Sequence, residues 1–296
     1  MKKKVVITGI SGFIGKYLSQ LLLEKNYEVI GIYRKKPAFN QNFQIMIGDI
    51  TDKDFLQRAV KDTYAVFHLA GITTHYELTN EAVLSYKQNL LVTLNMLDAF
   101  SNVNSNSFFL LPSSGKVYGK VQYLPIDEEH PTNPTIPLGY IKLSQEYAVK
   151  TYAHQFPKNR YAISRIFNIF GPDQRKQFLV PTIVEQLKKG PTVSLGDVNG
   201  KRDYLYIHDL CTALITIMEK SKENIDVYNI GSGISISPKE IIDELRIITK
   251  KKIIINTDDS KLRKGESTEE KASVKKLMKL GWKPSYSIRD GLLKIV

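Results

Sequence analysis

The sequence is almost devoid of cysteine. Cys211 is the single cysteine among 296 residues. One thiol cannot form an internal disulfide or a multi-cysteine metal site, so we expect no metal centre. Cys211 lies in an apolar helical pattern, which predicts a buried core residue. A lone cysteine suits a reducing compartment, and we predict a cytoplasmic location.

Long apolar runs are missing as well. No stretch approaches the roughly 18 apolar residues that are needed to span a bilayer. The basic start, Lys2 to Lys4, leads into a strand and a glycine-rich turn, which is not the pattern of a signal peptide. We therefore expect no membrane association. Hydrophobic residues make up 42% of the chain, enough to bury a large core.

Acidic residues are in deficit, and the net charge is +12. The 42 lysines and arginines are nevertheless scattered, with short clusters only at 2–4, 34–36 and 250–252. Nucleic-acid binding usually needs basic residues concentrated on one face. We therefore expect no nucleic acid, and predict that the basic surface attracts anionic small molecules.

Short apolar segments alternate with segments of helical period in the first half of the chain. This rhythm predicts an α/β fold, a Rossmann-type doubly wound parallel sheet with helices on both faces. It breaks after the predicted strand at 162–166. We expect residues 1–167 to form one domain, with 202–230 returning to it, and 168–201 and 231–296 to form a smaller C-terminal lobe. The predicted strands are 5–8, 28–32, 43–47, 65–69, 108–111 and 162–166, and the predicted helices are 13–24, 54–60, 81–99 and 138–154.

Three glycines, Gly9, Gly12 and Gly15, follow the first predicted strand and open the first helix. Glycine allows a tight turn in which backbone amides approach a pyrophosphate, and the helix N-terminus adds partial positive charge. This arrangement predicts a dinucleotide site and makes residues 1–167 the predicted dinucleotide-binding domain. Its expected members are Gly9, Ser11, Gly12, Phe13, Ile14 and Gly15.

The end of the second strand should select the dinucleotide. An Asp or Glu there would accept a hydrogen bond from the ribose of NAD, but the sequence has Tyr33, Arg34, Lys35 and Lys36. A guanidinium can pair with a 2′-phosphate. We therefore predict that Arg34 favours NADP, with NAD as the alternative cofactor.

Further motifs follow in a fixed order along the chain. They are Asp49-Ile50, His68-Leu69-Ala70-Gly71, Ser113-Ser114 with Tyr118, Pro137-Leu138-Gly139 with Lys142, and Leu280-Gly281-Trp282. Together with the glycine turn, this series resembles the extended short-chain dehydrogenases/reductases of the NAD-dependent epimerase/dehydratase family. The resemblance implies that Asp49 and Ile50 contact the adenine of the cofactor. It also implies that the backbone at Leu69 and Ala70 runs alongside the cofactor and that Lys142 binds the cofactor's ribose.

The resemblance also implies catalytic positions. Ser114 would hydrogen-bond the reacting sugar oxygen. Gly115 and Lys116 stand where dehydratases carry an Asp-Glu pair, which argues against dehydratase chemistry. The family's catalytic tyrosine position holds Leu138, one helical turn before Lys142, and leucine cannot transfer a proton.

Several explanations of Leu138 are open. Tyr140 could act after a local register shift, although residues two apart on a helix point about 200° away from each other. Tyr118 or His75 could supply the proton instead. The protein could also bind without reacting, or be a deliberately inactivated variant. Tyr140 is retained as a candidate catalytic residue beside Ser114 and Lys142.

The resemblance implies substrate contacts in the second half of the chain, which makes the smaller C-terminal lobe the predicted substrate-binding lobe. By resemblance, Asn168 contacts the sugar phosphate, while Arg202 and Arg263 grip the diphosphate through paired hydrogen bonds. The predicted partner is thus a nucleoside-diphosphate sugar. The family commonly forms dimers through two helices, here residues 81–100 and 138–156, so a homodimer is expected.

The favoured function is an NADP-dependent reductase of a nucleoside-diphosphate 4-keto-6-deoxy sugar, because Arg34 suits NADPH and the dehydratase pair is absent. The alternative is a nucleoside-diphosphate-sugar 4-epimerase, such as a UDP-sugar 4-epimerase, that retains NAD. A third possibility, raised by Leu138, is a dinucleotide-binding protein without catalysis.

Overall fold

The computed structural model describes residues 2–37, 42–72, 81–103, 106–261 and 267–296. In these ranges no helix combines the length and apolar character needed to cross a membrane. The strands are β1 (Lys4–Thr8), β2 (Glu28–Tyr33), β3 (Gln44–Ile47), β4 (Ala65–His68), β5 (Phe108–Ser114), β6 (Arg160–Ile166), β7 (Asn168–Phe170), β8 (Thr192–Leu195), β9 (Lys201–Tyr206), β10 (Ile225–Ile230), β11 (Ser235–Ile236), β12 (Ile254–Thr257) and β13 (Glu269–Glu270). The α-helices are α1 (Phe13–Glu24), α2 (Lys53–Val60), α3 (Ala82–Ser101), α4 (Pro137–Gln155), α5 (Leu179–Lys189), α6 (Ile207–Lys220), α7 (Pro238–Thr249), α8 (Lys275–Lys279) and α9 (Ile288–Leu293).

A seven-stranded sheet forms the centre of the fold, in the order β10-β6-β5-β4-β1-β2-β3. β1 pairs in parallel with β2 on one side and with β4 on the other. The strand order therefore reverses between β1 and β4, and the crevice at such a reversal is where open α/β sheets bind ligands. The predicted Rossmann-type doubly wound α/β fold is confirmed.

The sheet is buried because helices cover both of its faces. Val5, Val6 and Ile7 of β1 are completely inaccessible, and β4 is buried along its whole length. This explains why these strands read as continuous apolar runs rather than alternating patterns. α1 turns Leu18 and Leu22 into the core and leaves its opposite face polar.

The chain divides into two compact units, which differ from the predicted boundaries at 120–130, 167, 202–210 and 229–230. The first unit comprises residues 1–119, 131–166 and 211–228, and the second comprises 120–130, 167–210 and 229–296. Residues 202–210 thus lie in the second unit instead of returning to the first. The reason is strand pairing, because β9 pairs with β7, β11 and β13 and not with the central sheet.

A buried ion pair joins α4 to the central sheet. Arg165 on β6 donates from Nη2 to Oε2 of Glu146 on α4 at 2.8 Å and from Nε to Oε1 at 3.1 Å. Ser113 on β5 donates to the same carboxylate at 2.5 Å, and Arg165 Nη1 donates to the Tyr118 hydroxyl at 3.1 Å. The Glu146 side chain is fully buried. Multiple hydrogen bonds of this kind are what offsets the desolvation of two buried charges.

Replacing Glu146 by alanine would leave the Arg165 guanidinium buried without its carboxylate. We expect Glu146→Ala to lower the free energy of unfolding by about 3–5 kcal/mol, as is usual when one partner of a buried pair is removed. Urea unfolding followed by circular dichroism would measure this change. Glu185→Ala is the matched control, because Glu185 pairs with exposed Lys176 and Lys188 and should cost far less. An equal loss of unfolding free energy in both variants would contradict a stabilising role of the Glu146–Arg165 pair.

Candidate active site

The turn between β1 and α1 is built on close backbone contacts that only glycine permits. Gly9 has a φ of +67°, and a Cβ atom there would lie 2.7 Å from the Ala70 nitrogen. A Cβ on Gly15 would lie 2.5 Å from the Ile10 Cα atom. The first glycine therefore lets the turn approach the loop after β4, and the third lets α1 pack on its own turn.

The N-terminus of α1 is suited to an anion. Gly12 is its N-cap, no side chain caps the helix, and its first turn has no acidic residue. The first backbone N–H groups of a helix have no partner within the helix and carry partial positive charge. Ser11 is exposed, and Phe13 and Ile14 are partly exposed. These residues fit the pyrophosphate of a dinucleotide.

Arg34 and Asp49 lie at the ends of neighbouring strands, where β2 and β3 pair in parallel up to Tyr33 and Ile47. Both charged residues are exposed. Asp49 accepts a hydrogen bond from the Thr51 N–H at 2.8 Å, and this bond lowers the pKa of Asp49, with a smaller contribution from the positive charge of Arg34. The carboxylate is therefore charged and close enough to Arg34 to be influenced by it.

A chain of buried hydrogen bonds runs beneath the dinucleotide loops, and sequence reasoning missed it. The Thr8 hydroxyl accepts from the Ala70 N–H and lies 3.0 Å from Nδ1 of His68. Nε2 of His68 lies 3.2 Å from the Thr93 hydroxyl, which also accepts from Gln145 at 2.6 Å. Burial lowers the pKa of His68 to about 3, with a lesser contribution from the charge of Lys142. A neutral histidine thus links β1, β4, α3 and α4.

Only the spacing of polar residues on α3 and α4 could have signalled this chain. Thr93 and Gln145 are completely buried polar residues on α3 and α4. Their partners come from distant parts of the sequence, so their role is visible only when the helices pack together.

Ser114 stands at the carboxyl end of β5. Its hydroxyl oxygen accepts a hydrogen bond from the Lys116 N–H at 3.2 Å and so caps the short 3₁₀ turn Gly115–Val117. A hydroxyl that accepts in this way can still donate its own hydrogen. Ser114 is partly exposed, so that hydrogen can reach a ligand at the strand end.

Lys142 reaches the same strand from α4. The helix begins at Pro137 with Leu138 in its first turn, and Lys142 follows one turn later. Nζ of Lys142 donates to the Pro112 carbonyl oxygen of β5 at 2.8 Å. Burial lowers the pKa of Lys142 to about 8, against the opposing effect of the Glu146 carboxylate. The structure therefore brings Lys142 to the end of β5, close to Ser114 along the strand.

The three alternative proton donors have different surroundings. Tyr118 is only 1% exposed, and its hydroxyl receives a hydrogen bond from Arg165, so it is part of the core. Tyr140 is 52% exposed on the outer surface of α4, next to the buried Ile141. His75 lies outside the described residues. Leu138 is partly exposed, and its side chain has no group that transfers a proton.

Two of the predicted substrate residues lie in the second unit. Asn168 donates to the Asp203 carbonyl oxygen at 3.4 Å. Arg202 is 8% exposed, with Nε 3.6 Å from Glu270 and Nη1 bonded to the Lys201 carbonyl oxygen. Arg202 therefore forms an ion pair with Glu270 on the neighbouring strand β13. Arg263 lies outside the described residues.

Comparison with known proteins gives matches along almost the whole chain. The GDP-6-deoxy-D-mannose reductase of Pseudomonas aeruginosa is 29% identical over 307 residues, covering 100% of this chain and 97% of that protein. The structure of RMD from Pseudomonas aeruginosa complexed with NADPH has 28% identity and a TM-score of 0.85, covering 99% of this chain and 97% of that chain. The UDP-glucuronic acid 4-epimerase of Bacillus cereus, solved with UDP-glucuronic acid and NAD, has 30% identity and a TM-score of 0.86, covering 98% of this chain and 97% of that chain.

These similar proteins are enzymes, and they include both a reductase and an epimerase. The family model described as GDP-mannose 4,6 dehydratase matches residues 6–295. Its match extends through both units of the structure, from β1 to the C-terminal residues. The chain therefore belongs to this family of extended short-chain dehydrogenases/reductases, the NAD-dependent epimerases and dehydratases.

Proposed function

We propose that this protein is an NADP-dependent reductase that converts a nucleoside-diphosphate 4-keto-6-deoxy sugar to the corresponding alcohol. The observation that carries the proposal is the exposed Arg34 at the end of β2, where no carboxylate stands to favour NAD. An enzyme that consumes NADPH runs in the reductive direction. The reductase relative and the NADPH complex support this choice.

Each predicted site residue then has a role. NADPH, when bound, supplies the hydride. Ser11, Gly12, Phe13 and Ile14 hold its pyrophosphate through backbone N–H groups at the start of α1, and Arg34 meets its 2′-phosphate. The other cofactor contacts we propose are Gly9, Gly15, Asp49, Ile50, Leu69, Ala70 and Lys142.

On the substrate side, Ser114 donates a hydrogen bond to the sugar oxygen. Arg202 and Arg263 bind the diphosphate and Asn168 the sugar phosphate. Arg202 is paired with Glu270 in the structure, so diphosphate binding has to compete with or add to that pair. Tyr140 stays a candidate catalytic residue.

A 4-epimerase is the second candidate, favoured by the 30% identical UDP-glucuronic acid 4-epimerase with its bound NAD. An epimerase returns the hydride to the sugar and turns over without net consumption of cofactor. A protein that binds the dinucleotide without reacting is the third, and its support is Leu138. Consumption of the cofactor separates the reductase from the other two, and interconversion of 4-epimeric sugars separates the epimerase from the protein without catalysis.

The function is tested by following NADPH absorbance with GDP-, UDP- and dTDP-linked 4-keto-6-deoxyhexoses. We expect one of these sugars to be reduced with one NADPH oxidised per sugar, because the hydride stays on the product. Interconversion of 4-epimeric nucleotide sugars without NADPH loss would establish the epimerase instead. Dinucleotide binding with neither reaction would establish the protein without catalysis.

Cofactor choice depends on Arg34. We expect Arg34→Ala to weaken NADPH binding roughly 10- to 100-fold, since a charge-assisted hydrogen bond contributes about 1.5–3 kcal/mol. NADH binding, which involves no 2′-phosphate, should be nearly unchanged. Calorimetric titration measures both affinities, with Lys251→Ala in the C-terminal basic cluster as the control. Equal losses for both dinucleotides, or tighter binding of NAD by the native protein, would contradict NADP preference.

A homodimer is proposed from the outer faces of α3 and α4. Val83 is 84% exposed, Leu91 40% and Tyr147 59%, so two adjacent helices present large apolar side chains to solvent. The Tyr86 hydroxyl contacts Ser144 and connects the two helices. Burial against a second copy would remove this apolar surface from water.

Light scattering should give twice the 33.7 kDa chain mass. Leu91→Asp combined with Tyr147→Asp should shift the protein to the monomer, because two carboxylates would lose hydration at the interface. Ile247→Asp, at an exposed position of α7, should leave the dimer intact. A native monomer, or a dimer that survives the double substitution, would contradict this interface.

A further inference from the structure

The end of β5 carries one amine in an unusual setting. Lys142 extends from α4 to the Pro112 carbonyl oxygen, two residues before Ser114. β5 adjoins β4, which flanks the position where the strand order reverses. Ligands of open α/β sheets bind at the carboxyl ends of strands beside such a reversal. The amine therefore lies where a bound ligand would meet it.

The charged and titratable groups around Lys142 form hydrogen bonds with other residues. Glu146, one turn further along α4, is bound by Arg165 and Ser113. His68 of β4 is neutral and bonded on both ring nitrogens. No Asp or Glu lies within salt-bridge distance of Lys142 Nζ among the ion pairs found in the described part of the chain. The ammonium thus has one bond, to Pro112, and two further N–H groups to donate.

Other proton donors are poorly placed at this edge. Leu138 occupies the position one turn before Lys142 and has no exchangeable proton. Tyr118 is buried with its hydroxyl on Arg165. Tyr140 lies two residues from Lys142 on the same helix, so their side chains diverge, and it is exposed on the outer surface.

We propose that the Lys142 ammonium itself donates the proton to the sugar oxygen, taking the role that a tyrosine at position 138 would otherwise have. The inference rests on the proposed reductase function. As the carbonyl carbon receives the hydride, an N–H bond of Lys142 breaks and an O–H bond forms on the carbonyl oxygen. The ketone is reduced to an alcohol, NADPH is oxidised to NADP⁺, and the neutral amine regains a proton from water.

Burial suits the amine for this task. An ordinary lysine has a pKa near 10.4 and holds its proton tightly at neutral pH. Desolvation lowers the pKa of Lys142 to about 8, although Glu146 opposes the shift. The donor is therefore mostly charged at pH 7 and can also release a proton there. Since the charged form is the reactive one, turnover should be nearly full at pH 7 and below and should fall as the pH rises through about 8.

The first test needs neither cofactor nor turnover. In cofactor-free protein carrying ¹³C-labelled lysine, the Cε signal of Lys142 is identified by its absence in Lys142→Arg. We expect the Lys142 signal to titrate near pH 8, well below the pKa of about 10.4 of an ordinary lysine. Titration of Lys142 together with the surface lysines would overturn the proposal.

The second test separates charge from proton transfer. Arginine keeps the positive charge but does not release a proton. We expect Lys142→Arg to bind NADPH within a few-fold of the native protein and to lose turnover by about 10²- to 10⁴-fold, the usual contribution of general acid catalysis. Full turnover in Lys142→Arg would overturn the proposal.

A tyrosine at position 138 provides the complementary variant. Adding Leu138→Tyr to Lys142→Arg should restore turnover at least tenfold, because the phenol stands one turn from the charge at position 142. No recovery, combined with lost NADPH binding in Lys142→Arg, would show that Lys142 only holds the cofactor and would overturn the proposal. A native protein that oxidises no NADPH would refute the proposed function, whereas the titration would still decide whether Lys142 exchanges a proton near neutral pH.

Discussion

The buried ion pair between Glu146 and Arg165 is the interaction on which the arrangement of the site depends. It connects α4 to β6 directly, and through Ser113 it also connects both to β5. Lys142 lies one turn before Glu146, and Ser114 is the residue after Ser113. The carboxylate therefore sets the distance between the helix that carries the amine and the strand that carries the hydroxyl. An apolar contact would allow these elements to slide, whereas paired hydrogen bonds specify direction as well as distance.

Burial affects two titratable groups near the carboxyl ends of β4 and β5, and the two groups have different roles. His68 is neutral because desolvation disfavours its charged form, and it acts as a fixed hydrogen-bond link between Thr8 and Thr93. Lys142 is subject to the same penalty but retains a carboxylate nearby, so its pKa falls only to about 8. One physical effect thus produces a neutral histidine and an amine whose pKa is lowered to about 8.

Leu138 stands where the resemblance implies a catalytic tyrosine, and the backbone around it is nevertheless that of the family fold. Pro137 still begins α4, Gly139 still packs against the Lys116 carbonyl, and Lys142 still reaches β5. The backbone geometry does not require a hydroxyl at position 138. The departure from the implied pattern therefore changes one side chain and not the backbone. A proton for the sugar oxygen would have to come from another group near position 138.

The sequence was sufficient to predict the features that depend on residues close together in the chain. The glycines after β1 predicted the turn because only glycine allows such close backbone contact, and the apolar runs of β1 and β4 predicted buried parallel strands. The position of Arg34 at the end of a strand could be predicted because Arg34 directly follows β2 in the sequence. Family membership followed from motifs in a constant order, which the comparisons confirmed.

Tertiary structure decided everything that depends on partners distant in the chain. Only packing could show that Arg202 faces Glu270, that β9 pairs outside the central sheet, and that Tyr118 is bonded to Arg165. Whether a polar side chain is a ligand, a cap or a buried link depends on which groups surround it, and its neighbours in sequence do not specify those groups. Burial likewise sets the pKa of Lys142, because desolvation is a property of the folded environment and not of the residue type.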